Sequence, residues 1–160
     1  DLAGFRNGEF DAVVFSFNGI DYIASDDGRR KCLQELSRVL KPGGIFIFSS
    51  HNARELVVPP ALSGARFHQV VWRAIRSFFK SASVAWRNLS GGVFARGEGY
   101  LIDPVHGGLL TYMSTPKTMG PQLHAAGFRV LEVVGGPSPE IKFEPFICWH
   151  YYACRKAEAA

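Results

Sequence analysis

Phe10-Asp11-Ala12-Val13-Val14-Phe15-Ser16-Phe17 is a nearly continuous β-branched and aromatic run, closed by Asn18-Gly19. Without polar alternation, such a run predicts a strand buried on both faces of a parallel sheet. Downstream, Cys32, Leu33, Leu36, Val39 and Leu40 recur at helical spacing between Arg29, Arg30, Glu35 and Arg38. That spacing predicts an amphipathic helix over 28–40, lying on the sheet. Lys41-Pro42-Gly43-Gly44 ends it, because Pro cannot continue a helix and Gly supplies positive φ. Ile45-Phe46-Ile47-Phe48-Ser49 follows as a second buried strand. Strand, helix, tight turn and strand make one right-handed crossover unit of an α/β sheet.

The composition sets the frame for that unit. The 160 residues are 47% apolar, 13% aromatic and 20% charged, which excludes disorder, collagen and coiled coil and fits one globular domain. Cys32, Cys148 and Cys154 are an odd number and form no C-x-x-C or Cys/His cluster. They read as thiols of a reduced, cytoplasmic protein without a zinc site. The longest apolar runs fall far short of the ~20 residues of a membrane-spanning helix. The chain begins at Asp1 without Met, nine residues before its first strand signal, so it reads as a piece of something longer.

Toward the C-terminus, Gly108–Met113 predicts a short strand, and Thr115-Pro116 opens a helix that ends at Ala126-Gly127. Phe128–Val134 predicts the next strand, and Phe146–Cys154, rich in aromatics, the last. Between the halves, residues 53–97 break the rhythm. A Pro-Pro loop leads into a helical pattern from Arg66 to about Trp86, with Phe67, Val70, Val71, Ala74, Ile75, Phe78 and Phe79 as its apolar stripe. This stretch holds seven basic residues (Arg54, Arg66, Arg73, Arg76, Lys80, Arg87 and Arg96) against the single acid Glu55.

The run Phe10–Tyr22, followed by Arg38-Val39-Leu40-Lys41-Pro42-Gly43-Gly44-x-Phe46, resembles the second half of a class I S-adenosylmethionine-dependent methyltransferase. In that family "FD-x-V" is the fourth strand, and "RVLKPGG-x-F" is the following helix end, turn and fifth strand. Gly127-Phe128-x-Val130 is similar to the family's sixth strand, and Trp149–Lys156 to its closing one. The resemblance implies an α/β fold, a partial Rossmann-like methyltransferase sheet of strands four to seven with the last pair antiparallel. Residues 1–52 would be the core, 53–99 an inserted helical cap, and 100–160 the remainder of the core. S-adenosyl-L-methionine would be the cofactor and a small molecule the methyl acceptor at O, N or C. The family's first strand, its glycine-rich turn and its ribose-binding acid have no counterpart here. Asp1-Leu2 fits a remnant of the segment after the third strand, which meets the adenine.

Ligands of an open α/β sheet bind beyond the carboxyl ends of its strands. The resemblance implies that Phe17, Asn18, Gly19 and Tyr22 face the cofactor. Asn18-Gly19 also reads simply as a turn, and Tyr22 equally as an anchor for the next helix. At the same edge, His51 is placed either to take a proton from an acceptor or to line its pocket, with Asn52 beside it. Tyr100, Asp103, His106 and Tyr112 return from the cap and are candidates for the acceptor site, or members of an ordinary loop. His68, His124 and His150 read as structural. The basic helix allows three readings: a solvated face of a helix packed on the domain, a lid attracting an anionic acceptor, or a membrane-surface helix delivering a lipid-like one. Nucleic acid is not expected, since no stacking aromatics interleave with the cations outside the stripe. A domain lacking the glycine-rich turn is expected to bind S-adenosylmethionine more weakly than millimolar and to leave a strand edge exposed. The competing expectation is a non-catalytic binding or oligomerisation module.

Overall fold

The structure, a computed structural model, describes residues 2–60, 64, 66–103, 108–137 and 139–158. Asp1 and His106 lie outside the described residues. Strand β1 (Phe10–Phe15) leads through a 3-10 turn (Gly19–Tyr22) into α1 (Asp26–Val39), and β2 (Leu40–His51) follows. Ser25 caps α1 by accepting from the Gly28 amide, and Asp26 and Asp27 place negative charge at its positive end. β1 and β2 pair in parallel, with a break in register between Phe10 and Ala12. Lys41–Gly44 forms that break, with Gly43 at φ 73°.

After β2 come α2 (Phe67–Ser90), the single turn α3 (Val93–Arg96), β3 (Glu98–Asp103) and β4 (Leu109–Ser114). Then follow α4 (Pro116–Ala125), β5 (Phe128–Gly136) and β6 (Trp149–Lys156). The main sheet runs β1-β2-β6-β5. β6 is antiparallel to both neighbours, so the last strand is threaded between β2 and β5. β3 and β4 form a separate antiparallel pair. The strand expected at 108–113 is therefore real but stands outside the main sheet, and its partner β3 lies in the stretch read as a loop returning from the cap. Asn52 links the two sheets through a bridge to Ser114.

One face of the main sheet carries the core. Val13, Phe46, Cys154 and Val130 share one cross-strand row, and Phe15, Phe48, Tyr152 and Val133 the next. Leu33 and Leu36 of α1 and Met119 and Leu123 of α4 close over them. The opposite face is bare: Val14 is 65% exposed, Ile47 40% and Tyr151 46%. β1 is thus buried on one side only, a correction to the two-sided burial read from its sequence, because no described element covers the other side. The outer edge of β1 is also unpaired, and a cavity of about 1000 Å³ opens along it beside α1, lined by Leu2, Phe10, Val14 and Cys32 among others.

α2 covers the expected helix but turns its stripe outward. Its buried positions are Ser77, Val84 and Asn88, while Phe67, Trp72, Phe78, Phe79 and Trp86 are each more than 60% exposed. Hydrogen bonds to backbone explain the choice of face. The Ser77 hydroxyl donates to the Val58 carbonyl, the Ser81 hydroxyl accepts from the Val58 amide at 2.9 Å, and the Asn88 amide donates to the Glu55 carbonyl at 2.7 Å. Small polar side chains let the helix approach this backbone closely.

Candidate active site at the strand ends

The tips of β1 and β2 are neighbours. The Asn18 backbone amide donates to the Ser49 hydroxyl at 3.0 Å, and the Asn18 side-chain nitrogen lies 3.2 Å from Nε2 of His51. Phe17 and Asn18 both adopt left-handed backbone, φ 57° and 53°, a conformation that costs L-residues energy and marks positions held by their surroundings. Phe17 is 91% exposed at the rim, and Gly19 is half-buried.

Behind His51 stands Asp21, fully buried in the 3-10 turn. Its Oδ2 accepts from the His51 backbone amide at 2.7 Å and lies 2.8 Å from His51 Nδ1, while Oδ1 accepts from the Ser50 hydroxyl at 2.8 Å. Burial pushes the Asp21 carboxyl upward, against the opposing pull of His51 and Ser50. Two hydrogen bonds from the His51 residue and one from Ser50 favour the ionised form that burial penalises. With Nδ1–H donating to Asp21, Nε2 carries the lone pair and accepts from the Asn18 amide. The Asn18 Oδ1 is buried and has no hydrogen-bond partner.

A cavity of about 180 Å³ opens in front of His51, lined by Asn18, Glu55, Arg87, Asp103, Cys148 and Trp149, with Val58, Lys80 and Val84. Arg87 bonds Asp103 at 2.9 Å and lies 4.0 Å from Glu55, so one guanidinium serves two buried carboxylates. Burial raises the Glu55 carboxyl, with Cys148 and Arg87 pulling it back, and burial also drives the Cys148 thiol upward. Tyr22 stands at the side, its ring 6.0 Å from that of His51 and edge-on to it.

The structure therefore gathers Asn18, His51 and Asp103 around one cleft, with the Tyr22 ring against His51 and Phe17 next to Asn18 in solvent. It places three other candidates elsewhere. Asn52 is fully buried and spends its amide on the Glu144 and Ile147 carbonyls, both at 2.9 Å, and its oxygen on the Arg54 amide. Tyr112 is buried in the core, its hydroxyl donating to Glu98 at 2.6 Å and its ring under the Arg29 guanidinium. Tyr100 accepts from Arg29 at 2.7 Å in the same network and donates to the Ile23 carbonyl at 3.3 Å. These three hold elements together rather than face His51. Sequence reasoning passed over Asp21, Glu55 and the site role of Arg87. An Asp two residues after a strand-end Asn-Gly was visible, but its partner is set by topology.

Residues 1–48 match the family model described as "Methyltransferase domain". No curated protein matches the sequence. Among solved structures, the chain is similar to a SAM-dependent methyltransferase from Methanosarcina mazei, at 16% identity and TM-score 0.54, over 97% of this chain and 63% of that one. It is similar to a putative S-adenosylmethionine dependent methyltransferase from Listeria monocytogenes, at 20% identity and TM-score 0.55, over 96% and 64%. A third is the 1,6-didemethyltoxoflavin-N1-methyltransferase of Burkholderia thailandensis, solved with 1,6-didemethyltoxoflavin and S-adenosylhomocysteine, at 13% identity and TM-score 0.54, over 95% and 46%. The chain spans less than two thirds of the length of each. It has the class I S-adenosylmethionine-dependent methyltransferase fold, and its first 48 residues carry the sequence pattern of a methyltransferase domain.

Proposed function

We propose that this chain forms the acceptor side of an S-adenosylmethionine-dependent methyltransferase whose small-molecule acceptor carries a proton on oxygen or nitrogen. The observation that carries this reading is the Asp21–His51 pair. A buried carboxylate fixes Nδ1 as the protonated nitrogen, so that Nε2 is basic at the mouth of the cleft. His51 Nε2 takes the acceptor's proton, and Asp21 stabilises the imidazolium that results. The Asn18 amide, which donates to Nε2, gives way to the incoming hydroxyl or amine.

Phe17, Asn18, Gly19 and Tyr22 are the residues that would meet the cofactor. They fit that role because Asn18 Oδ1 is buried without a partner, and Phe17 is left in solvent beside it. When bound, S-adenosylmethionine supplies an electrophilic methyl group, whose transfer depends chiefly on alignment with the acceptor. Glu55, Arg87 and Asp103 make the far wall of the cleft polar and charged, suited to an acceptor with hydrogen-bonding groups of both kinds. Elements 53–99 act as the cap over that wall, since Lys80, Val84 and Arg87 come from α2.

The bare sheet face and the unpaired edge of β1 support a longer protein, with the remaining cofactor contacts on strands beside β1. We accordingly expect this chain alone to bind S-adenosylmethionine weakly. The test is methyl transfer by the whole protein against metabolite pools, using His51→Gln as the comparison. A rate reduced by about 10²-fold or more supports the reading; an undiminished rate in the variant ends it.

A further inference from the structure

We infer that the outward face of α2 seats on an anionic lipid surface. This inference does not rest on the reading of the His51 cleft. α2 has 24 residues, about 36 Å of helix, and its large apolar side chains point away from the body. Phe67 is 85% exposed, Trp86 76%, Phe78 70%, Phe79 67% and Trp72 61%. A contiguous apolar strip of that size on a helix surface marks an interaction site.

Charge identifies the partner. Residues 67–90 contain no acid, and Arg76 and Lys80 lie along one border of the strip, both exposed. The opposite side of the helix is already engaged, through Ser77, Ser81 and Asn88, with the backbone of 55–58. The helix thus has three sectors: one bound to the protein, one cationic and one apolar with two Trp and three Phe. An aromatic-rich apolar face bordered on one side by cations, on a helix without acids, is the pattern of a helix lying in the plane of a membrane interface. A second copy of the chain is a poorer fit, because pairing the strips brings two cationic borders together. No described helix is long and apolar enough to cross a membrane, so the contact is peripheral.

The experiment is flotation of the full chain with vesicles of phosphatidylcholine mixed with phosphatidylglycerol, and with vesicles of phosphatidylcholine alone. Binding to the first, release by salt, and little binding to the second are expected. Arg76→Glu should weaken binding by roughly tenfold or more. Trp72→Asp should abolish it with an unchanged circular dichroism spectrum, since that side chain is mostly in solvent. Absence of flotation overturns the inference, as does equal binding to both vesicles. So does a dimer that Trp72→Asp dissociates, or a single-stranded oligonucleotide bound in place of vesicles. Vesicle binding is read without methyl transfer, so its failure leaves the His51 reading untouched.

Discussion

Asn18 and His51, 33 residues apart in sequence, meet at 3.2 Å between the amide nitrogen of one and Nε2 of the other. That contact joins the tips of two parallel strands and aims the histidine at the cleft. Its partner on the other ring nitrogen, Asp21, then decides how the histidine behaves. Asp21→Asn keeps the shape but removes the negative charge that stabilises the imidazolium, since the oxygen facing Nδ1 also accepts from the His51 backbone amide and an amide oxygen must stay there. In the whole protein, methyl transfer should fall by about 10²-fold or more while KM for the acceptor changes little. An Asn variant with wild-type kcat would show that Asp21 is only structural.

Arg87 holds Asp103, which is 2% exposed, and approaches Glu55, which is 7% exposed. Arg87→Met removes the guanidinium between the two buried carboxylates and should cost about 3–5 kcal/mol, read as the midpoint of urea unfolding. Replacing Asp103 by Asn in the same chain should restore part of that loss, because one of the two buried negative charges is gone. Additive effects of the two substitutions would show that the pair does not interact.

His150 is 4% exposed, and burial pushes its pKa down to about 4. The folded chain therefore resists a proton that the unfolded chain accepts near pH 6.5. Between about pH 6.5 and about pH 4 the unfolded state binds more protons, so stability falls as pH falls through that window, by at most about 3 kcal/mol. Above it this contribution is fully present. Unfolding midpoints at pH 7 and pH 5 should differ less in His150→Leu than in the parent, and an equal difference would refute the assignment.

Gly44 sits where a side chain has no room: a Cβ there would lie 2.9 Å from the Lys41 carbonyl oxygen and 3.1 Å from that of Asp11. Backbone oxygens cannot swing aside. Gly44→Ala should lower stability by about 1–3 kcal/mol, measured by thermal melting, with the β1–β2 pairing the first to loosen.

Phe17 is held at positive φ with its ring in solvent, so Phe17→Ala should leave stability within about 0.5 kcal/mol. Its effect should appear in cofactor affinity of the whole protein, by calorimetry. Unaltered affinity would remove Phe17 from the cofactor site.

The core unit was legible because two local signals agree there: the unbroken apolar run of 10–17 and the Pro-Gly-Gly stop at 42–44. His51 and Asn18 followed, since residues that end parallel strands share an edge whatever else the chain does. α2 was legible as a helix but not in its orientation. Periodicity reports that one side is apolar, whereas seating depended on which side could approach the 55–58 backbone, and Ser77, Ser81 and Asn88 are small and polar. Tyr112 and Asn52 turn away from His51 for a related reason. Their positions near the cleft were foreseeable, but β4 turns Tyr112 into the core and the 144–147 segment captures the Asn52 amide. Asp21 stayed hidden because a buried carboxylate is unremarkable in sequence until the backbone of β2 is laid beside it.

β5 touches the main sheet only through β6, the final strand. During synthesis, Phe128–Gly136 therefore leaves the ribosome without a ladder to join, and waits until residues 149–156 have emerged and slid in beside β2. The main sheet is thus completed at an inner position, by the strand that is made last. A ribosome stalled before Trp149 would hold a nascent chain whose main sheet is in two pieces, the β1–β2 pair and the unpaired β5, a natural target for chaperones that recognise unpaired strands.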